Sequence, residues 1–216
     1  MKTTKLFQWS LFFCLLVCFA SCITVNPTYS KLSEKEKATI RVAPFDSVIS
    51  TPVAPTSAAD ILVKDINFDQ LKGALDKSTK KLKWVLIYTA MCSGTPHILP
   101  YAKEVKGKYG KDVDIFLLAS DDYATTNTLK KKLYFYGINF QTYIINNSYG
   151  EFKDNRQKGF IIRNLLCESC TNDLIGVPYN LVFNQKNEIV FTKYRSYKTV
   201  GDSLVGSDFI GELLNK

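Results

Sequence analysis

Continuous apolar runs mark the expected strands of this chain. The runs Trp84–Tyr88 and Val113–Ala119 are too apolar for strands with one solvated face, which alternate apolar and polar residues. We therefore expect both to lie centrally in a sheet, covered on both faces. Tyr179–Asn184 and Glu188–Tyr194 flank the polar turn 185–187, which predicts an antiparallel hairpin at the sheet edge.

The segments between these strands have apolar residues at helical spacing. Helices are expected after Asn67 or Asp69, after Ser93-Gly94 and over Thr125–Tyr136, Phe152–Leu166 and Leu204–Leu214, with short strands at Ile61–Val63 and Gln141–Ile145. Strands that alternate with helices predict an α/β fold with a largely parallel sheet and helices on both faces. In such sheets, sites gather beyond the carboxyl ends of the strands.

The first residues have the composition of an export signal. Lys2 and Lys5 precede an apolar stretch, Leu6–Ala20, which is shorter than the roughly 20 apolar residues of a membrane span. The ending Ala20-Ser21-Cys22 resembles that of a bacterial lipoprotein signal. This resemblance implies a signal peptide over 1–21 and a lipid on Cys22. An uncleaved anchor or an ordinary cleaved signal are the alternatives, and all three place the chain outside the cytoplasm, in the cell envelope.

Residues 22–59 are predicted to be a lipid-anchored flexible tether. The segment is rich in Pro, Ser, Thr and Lys, and such a composition buries too little apolar surface to fold alone. Within it, Ile40–Val42 is a candidate for a short docked strand. The folded domain is expected over 60–216.

The net charge of the chain does not identify a binding partner for this domain. The whole chain has a net charge of +8, and cleavage before Cys22 removes Lys2 and Lys5, which leaves +6. The tight basic cluster Lys130-Lys131-Lys132 lies in a predicted helix, where a solvated face explains it better than nucleic acid does. We therefore expect no nucleic-acid partner.

Cys92 is the sharpest candidate for chemistry. It follows the apolar run 84–88 at a turn made by Ser93 and Gly94, and a helix is expected to begin after it. Backbone N–H groups at a helix start are unpaired and favour a thiolate, which is the reactive form of cysteine.

The segment around Cys92 resembles the active site of the thioredoxin superfamily. That family has Cys-x-x-Cys after a buried strand and a proline five residues beyond the second cysteine; here Cys92, Thr95 and Pro100 occupy those positions. Gly176-Val177-Pro178 resembles the loop in which the family's cis proline packs beside the active cysteine. The resemblance implies a thioredoxin-like fold over about Ile61–Leu214.

The spacing between the two matching blocks indicates an insertion. Cys92 and Pro178 are 86 positions apart, which is more than a minimal thioredoxin needs. Membrane-tethered TlpA/ResA-like reductases, which the chain resembles, carry an insertion before the cis-proline loop. The expected fold is therefore α/β and thioredoxin-like, with a central mixed sheet, helices on both faces and this insertion.

Thr95 makes the expected activity a single-thiol one. Thiol–disulfide exchange with protein thiols or disulfides is completed by a second thiol, and Thr95 has no thiol. The Thr95 hydroxyl is instead a candidate to hydrogen-bond the Cys92 thiolate. The site residues implied are Cys92, Thr95 and Pro178. Two alternatives stay open, a non-catalytic binding or assembly module and a peroxiredoxin-like peroxidase, the latter because Thr89 stands three residues before Cys92.

The remaining candidates are a second cysteine pair and one histidine. Cys167 and Cys170 are expected to form a local disulfide in an oxidising compartment, with a resolving role toward Cys92 as the sharper alternative. His97 is a candidate base for Cys92 only if the turn is irregular. Neither a metal nor an organic cofactor is expected, because His97 is the chain's single histidine and a metal site needs more ligands.

Overall fold

A six-stranded mixed sheet forms the centre of the computed structural model, which describes residues 28–150, 159–160, 177–194 and 208–216. The strands are β1 Val63–Ile66, β2 Leu82–Tyr88, β3 Val113–Ala119, β4 Thr142–Ile145, β5 Tyr179–Asn184 and β6 Ile189–Tyr194. The helices are α1 Glu34–Lys37, α2 Phe68–Lys77, α3 Thr95–Tyr109, α4 Thr126–Phe135 and α5 Phe209–Leu214.

The strand order is β1-β4-β3-β2-β5-β6. The first four strands in that order are parallel, β5 runs antiparallel to β2, and β6 runs antiparallel to β5. The predicted central pair and the hairpin at the sheet edge are thus confirmed. α4 and β4 are inserted between β3 and the loop before β5, and β4 enters the sheet between β1 and β3.

β2 is buried along its whole length. Trp84, Leu86 and Tyr88 point into one apolar cluster, whereas Val85 and Ile87 point into the other, and all five are 0% exposed. Each fully buried side chain of this size contributes roughly 1.5–3 kcal/mol of transfer free energy. The unbroken apolar pattern of this run therefore follows from cover on both faces.

Helices lie on both faces of the sheet, as predicted. α3, α4 and α5 pack on the face that holds Trp84, through Leu99, Leu129 and Ile210 among others. α2 covers the opposite face with Leu71 and Leu75. The predicted fold class, with its mixed central sheet and its insertion, is confirmed.

β1 lies later in the chain than its apolar residues predict. We expected a strand over Ile61–Val63, but pairing with β4 runs from Val63 to Ile66 and includes Lys64 and Asp65. The Asp65 carboxylate accepts hydrogen bonds from the Tyr123 hydroxyl and from Asn146 Nδ2, the latter at 2.7 Å. Distant partners therefore stabilise a polar strand residue that the sequence pattern excluded.

The described part of the predicted tether, residues 28–59, contacts the domain at several points. Val42 packs on the apolar core, Ala43 forms a parallel bridge with Lys64, and the Phe45 ring stacks on Tyr143 at 5.8 Å. A few apolar side chains of the expected tether thus pack on the domain. The bridge at Ala43 lies one residue beyond the candidate strand 40–42.

The basic cluster 130–132 is not a uniformly solvated helix face. Lys131 is exposed and Lys132 half-buried, but Lys130 is only 7% exposed. Burial, together with the nearby Arg41, lowers the pKa of Lys130. The interpretation of this cluster as a solvated face was wrong for Lys130, which is buried.

Two predicted helices fall partly or largely outside the described residues. Of Phe152–Leu166 only residues 159–160 are described, and Phe160 is buried against the sheet. The described part of the last helix is α5, which begins after Asp208, whose side chain accepts the Gly211 N–H at 3.0 Å. Among the helices described, none has both the length and the apolar character to cross a membrane.

Candidate thiol site

Cys92 lies in the loop that joins β2 to α3. The loop runs from Thr89 to Gly94, which is the N-cap of α3, and Pro96 follows in the first turn of the helix. Two backbone hydrogen bonds shape the loop: Cys92 N–H donates to Thr89 O at 3.2 Å, and Thr95 N–H donates to Cys92 O at 3.1 Å. Cys92 therefore stands just before the first turn of the helix, at the carboxyl edge of the sheet.

The sulfur of Cys92 is half-buried and has two backbone partners. The thiol donates to the Val177 carbonyl, with Sγ and O 3.1 Å apart, and Sγ accepts the Gly94 N–H at 3.4 Å. The carbonyl can accept only from the protonated thiol, whereas the N–H can donate to either form. These contacts fix the position of the sulfur between the two segments.

The Val177 carbonyl belongs to a cis peptide bond, Val177–Pro178. Pro178 is buried, and β5 starts at the next residue, with Tyr179 opposite Ile87 of β2. The antiparallel pairing of β2 and β5 brings together residues that are 85 positions apart in the chain. The cis proline expected beside the cysteine is present.

The chain has a thioredoxin-like fold. The strand order, the cysteine between the central strand and α3, and the cis proline against that cysteine are together the arrangement that the resemblance implied. The insertion of α4 and β4 enlarges this fold within the sheet itself.

No protein-family model and no curated protein sequence matches the chain. Among solved structures, the chain is similar to the thioredoxin domain of a thiol-disulfide oxidoreductase from Bacteroides vulgatus, with 15% identity, a TM-score of 0.45 and coverage of 63% of this chain and 81% of that one. It is also similar to a thiol-disulfide isomerase from Corynebacterium glutamicum, with 19% identity, a TM-score of 0.44 and coverage of 64% and 80%.

A third similar structure is a thiol:disulfide interchange protein of the thioredoxin family from Chlorobium tepidum. The identity is 12%, the TM-score 0.44, and the match covers 66% of this chain and 83% of the other. The thioredoxin-like fold of this chain follows from its own strand order and from the Cys92–Val177 contact rather than from these likenesses.

Thr95 does not form the expected hydrogen bond to the Cys92 sulfur. Its side chain is 0% exposed, and its hydroxyl donates to Thr89 O at 2.5 Å. A hydroxyl has one proton, so this donor is already used. That hypothesis for Thr95 was wrong, because the first turn of α3 points the hydroxyl back toward the end of β2. Thr95 therefore stabilises the loop that carries Cys92.

A buried hydrogen bond joins β2, the strand before Cys92, to β5, the strand after the cis proline. Trp84 Nε1 donates to Asn180 Oδ1 at 3.1 Å, and both residues are 0% exposed. The sequence pattern did not single out Asn180, since a polar residue in an apolar strand has no visible partner until the strands are paired. The contact helps to keep β5 in register with β2.

Two aspartates that follow β3 accept hydrogen bonds from neighbouring segments at this edge of the sheet. Asp121 is 7% exposed and accepts the Ala90 N–H at 2.8 Å, so it supports the loop two residues before Cys92. Burial, with the charge of Asp121, raises the pKa of Tyr88, the last residue of β2. Asp122 accepts the Tyr29 N–H at 2.8 Å. The polar end of this strand was visible in the sequence, but its contact with the cysteine loop was not.

The other candidate residues are one histidine and three cysteines. His97 is exposed on α3. Cys22, Cys167 and Cys170 fall outside the described ranges, so the predicted lipidation and local disulfide remain predictions. Within the described ranges no group of three or more His, Cys, Asp or Glu side chains could hold a metal ion.

Replacing Thr95 tests the structural role of its hydroxyl. Thr95→Val keeps the side-chain volume but removes the bond to Thr89 O, so we expect the free energy of unfolding to fall by about 1 kcal/mol. Thr128→Val, at an exposed position on α4, is the matched control and should change it by less than about 0.5 kcal/mol. Urea denaturation measures both, and equal stabilities of the two variants would contradict the assignment.

Proposed function

We propose that this chain is an envelope thioredoxin-like lipoprotein that takes part in thiol–disulfide exchange through Cys92 alone. The observation that carries the proposal is the position of the sulfur, half-buried at the carboxyl edge of the sheet and held between Val177 O and Gly94 N–H. Met91, immediately before it, is 71% exposed, so a partner protein can approach the site. Protein thiols or disulfides are the substrates of this proposal.

The exchange proceeds by attack of the Cys92 thiolate on a sulfur of a partner disulfide. A new S–S bond joins Cys92 to that sulfur, the partner's own S–S bond breaks, and the second partner sulfur leaves as a thiolate. Release of Cys92 then needs attack by another thiol, because the Thr95 hydroxyl cannot form a disulfide. That thiol comes from the partner or from a separate low-molecular-weight or protein thiol.

The finer assignment within this proposal is a TlpA/ResA-like, membrane-tethered protein. Support comes from the insertion of α4 and β4 before the cis-proline loop, where those reductases also carry extra residues. The signal-like start of the chain and Cys22 support lipidation and a place in the cell envelope. In that compartment Cys167 and Cys170 form a local disulfide.

A non-catalytic binding module is the second candidate. It is favoured by one observation, namely that residue 95, where the resemblance expects a second cysteine, is a threonine whose hydroxyl donates to Thr89 O. On this alternative the same edge binds a partner protein without forming a bond to sulfur. Replacement of Cys92 by serine separates the two candidates, since a binding module tolerates it.

Adding a second thiol at position 95 tests the exchange mechanism. The wild-type protein should accumulate mixed disulfides through Cys92, and Thr95→Cys should shorten their lifetime and raise disulfide-reductase turnover by at least about tenfold, because the resolving step becomes intramolecular. Non-reducing electrophoresis and peptide mapping measure the adducts.

Two controls accompany this experiment. Thr128→Cys adds a thiol on a different helix and should leave the adduct lifetime unchanged. Cys92→Ser should abolish the adducts. Adducts that map to Cys167 or Cys170 instead would contradict exchange through Cys92 alone. Full cellular function of Cys92→Ser would contradict single-thiol exchange and favour the binding module.

The anchor has its own test. Mass spectrometry of the mature N-terminus should show acylated Cys22, because the preceding Ala20-Ser21 has the small residues of a lipoprotein signal. Cys22→Ala should release the protein from the membrane fraction, whereas Cys18→Ala, within the predicted signal peptide, should leave it membrane-bound. An intact Met1 or an unmodified N-terminus at another residue would contradict the anchor.

A further inference from the structure

The first described residues are held at the same edge of the sheet as the thiol. Tyr29 N–H donates to Asp122 at 2.8 Å, and the Tyr29 ring meets the Tyr123 ring edge-on at 5.5 Å. Lys37 Nζ lies 5.7 Å from the centre of the Tyr29 ring. Tyr29 is therefore fixed by polar and aromatic contacts to the loop that follows β3.

That loop is directly connected to the cysteine loop. β2 and β3 are parallel with Tyr88 opposite Ala119, so the residues that follow both strands emerge at one edge. Asp121, adjacent to Asp122, accepts the Ala90 N–H at 2.8 Å. At 3.8 Å per residue and about 6 Å across each side-chain hydrogen bond, this path limits the separation of Tyr29 and Cys92 to roughly 25 Å.

The chain between the expected lipid and this edge is short. Six residue steps separate Cys22 from Thr28, which span at most roughly 20 Å when fully extended. A tether over 22–59 that did not dock would reach roughly 130 Å. With the further step from Thr28 to Tyr29, docking of Tyr29 therefore limits the distance from the anchor to Cys92 to about 50 Å.

We propose that this docked N-terminal segment restricts Cys92 to thiols and disulfides of proteins at the same membrane surface. The inference rests on the proposed anchor and on the proposed thiol exchange, and it names the partner class that those proposals leave open. A site confined near the bilayer meets membrane-bound partners at a high effective concentration, while disulfides held far above the surface lie beyond its reach.

The test uses the acylated full chain in lipid vesicles. Two substrates present the same peptide disulfide on a lipid anchor, one through a spacer of a few residues and the other at the tip of a semi-rigid helical spacer of about 100 residues, roughly 150 Å long. We expect the protein to react at least about tenfold faster with the disulfide near the membrane. Equal rates with the two substrates would overturn the inference.

Two variants make the outcome specific to the docked segment. About 30 flexible residues inserted between Cys22 and Thr28 should weaken the preference between the two substrates, because the insertion adds reach of roughly 30 Å on average and roughly 100 Å at full extension. Tyr29→Pro removes both the N–H donor and the ring, and should weaken the preference, because the next bridge to the sheet lies at Ala43. A preference that persists unchanged in the insertion variant would also overturn the inference.

Failure of the proposed function gives a different result. The Cys22→Ala variant, which lacks the lipid anchor, is mixed with the peptide disulfide in solution. If neither this protein nor the acylated one forms a mixed disulfide with any substrate, the thiol-exchange proposal fails. If both react and the two vesicle substrates react equally, only the membrane restriction fails.

Discussion

The antiparallel pairing of β2 with β5 is the contact on which the candidate site depends. β2 ends four residues before Cys92, and β5 begins immediately after Pro178, so their register determines where the sulfur meets the cis-proline loop. Burial of β2 on both faces and the Trp84–Asn180 hydrogen bond hold that register. Slippage by one residue would turn every β5 side chain to the opposite face and is therefore strongly disfavoured.

The pairing of β2 with β5 positions one cysteine sulfur, that of Cys92, at the candidate site. The backbone supplies both partners of Cys92, from Val177 and Gly94, while the hydroxyl of Thr95 closes the loop below it. Thr95, at the position where the resemblance expects a second cysteine, is thus part of the scaffold. In the proposed exchange, release of Cys92 then depends on a thiol other than residue 95, which makes the choice of partner central to that proposal.

Local sequence patterns were sufficient for the central part of the fold. Val113–Ala119 and Tyr179–Asn184 could be predicted to the residue, because each apolar run is bounded by polar or turn-forming residues. Cys92 and Pro178 could be paired through a family resemblance. β1 was displaced in the prediction because Lys64 and Asp65 interrupt its apolar pattern.

The features that the sequence did not reveal are long-range polar contacts. The Tyr29–Asp122 hydrogen bond joins residues 93 positions apart, and the Trp84–Asn180 bond joins residues 96 apart. Composition predicted a flexible tether over 22–59 and did not reveal the contacts of Tyr29, since a few docking contacts leave no periodic signal. The direction of the Thr95 hydroxyl likewise depends on the turn geometry of Thr89–Gly94.

The central claim is that Cys92 is an accessible, reactive thiol held beside the cis-proline loop. The most direct measurement is the rate of Cys92 alkylation by iodoacetamide at pH 7, followed by mass spectrometry in the native protein and in the urea-unfolded chain. We predict that the native thiol reacts at a rate within about tenfold of that of the unfolded chain, because Cys92 is half-buried rather than buried and its sulfur faces the Gly94 N–H, which can donate to the thiolate. Protection of native Cys92 by tenfold or more would contradict the account.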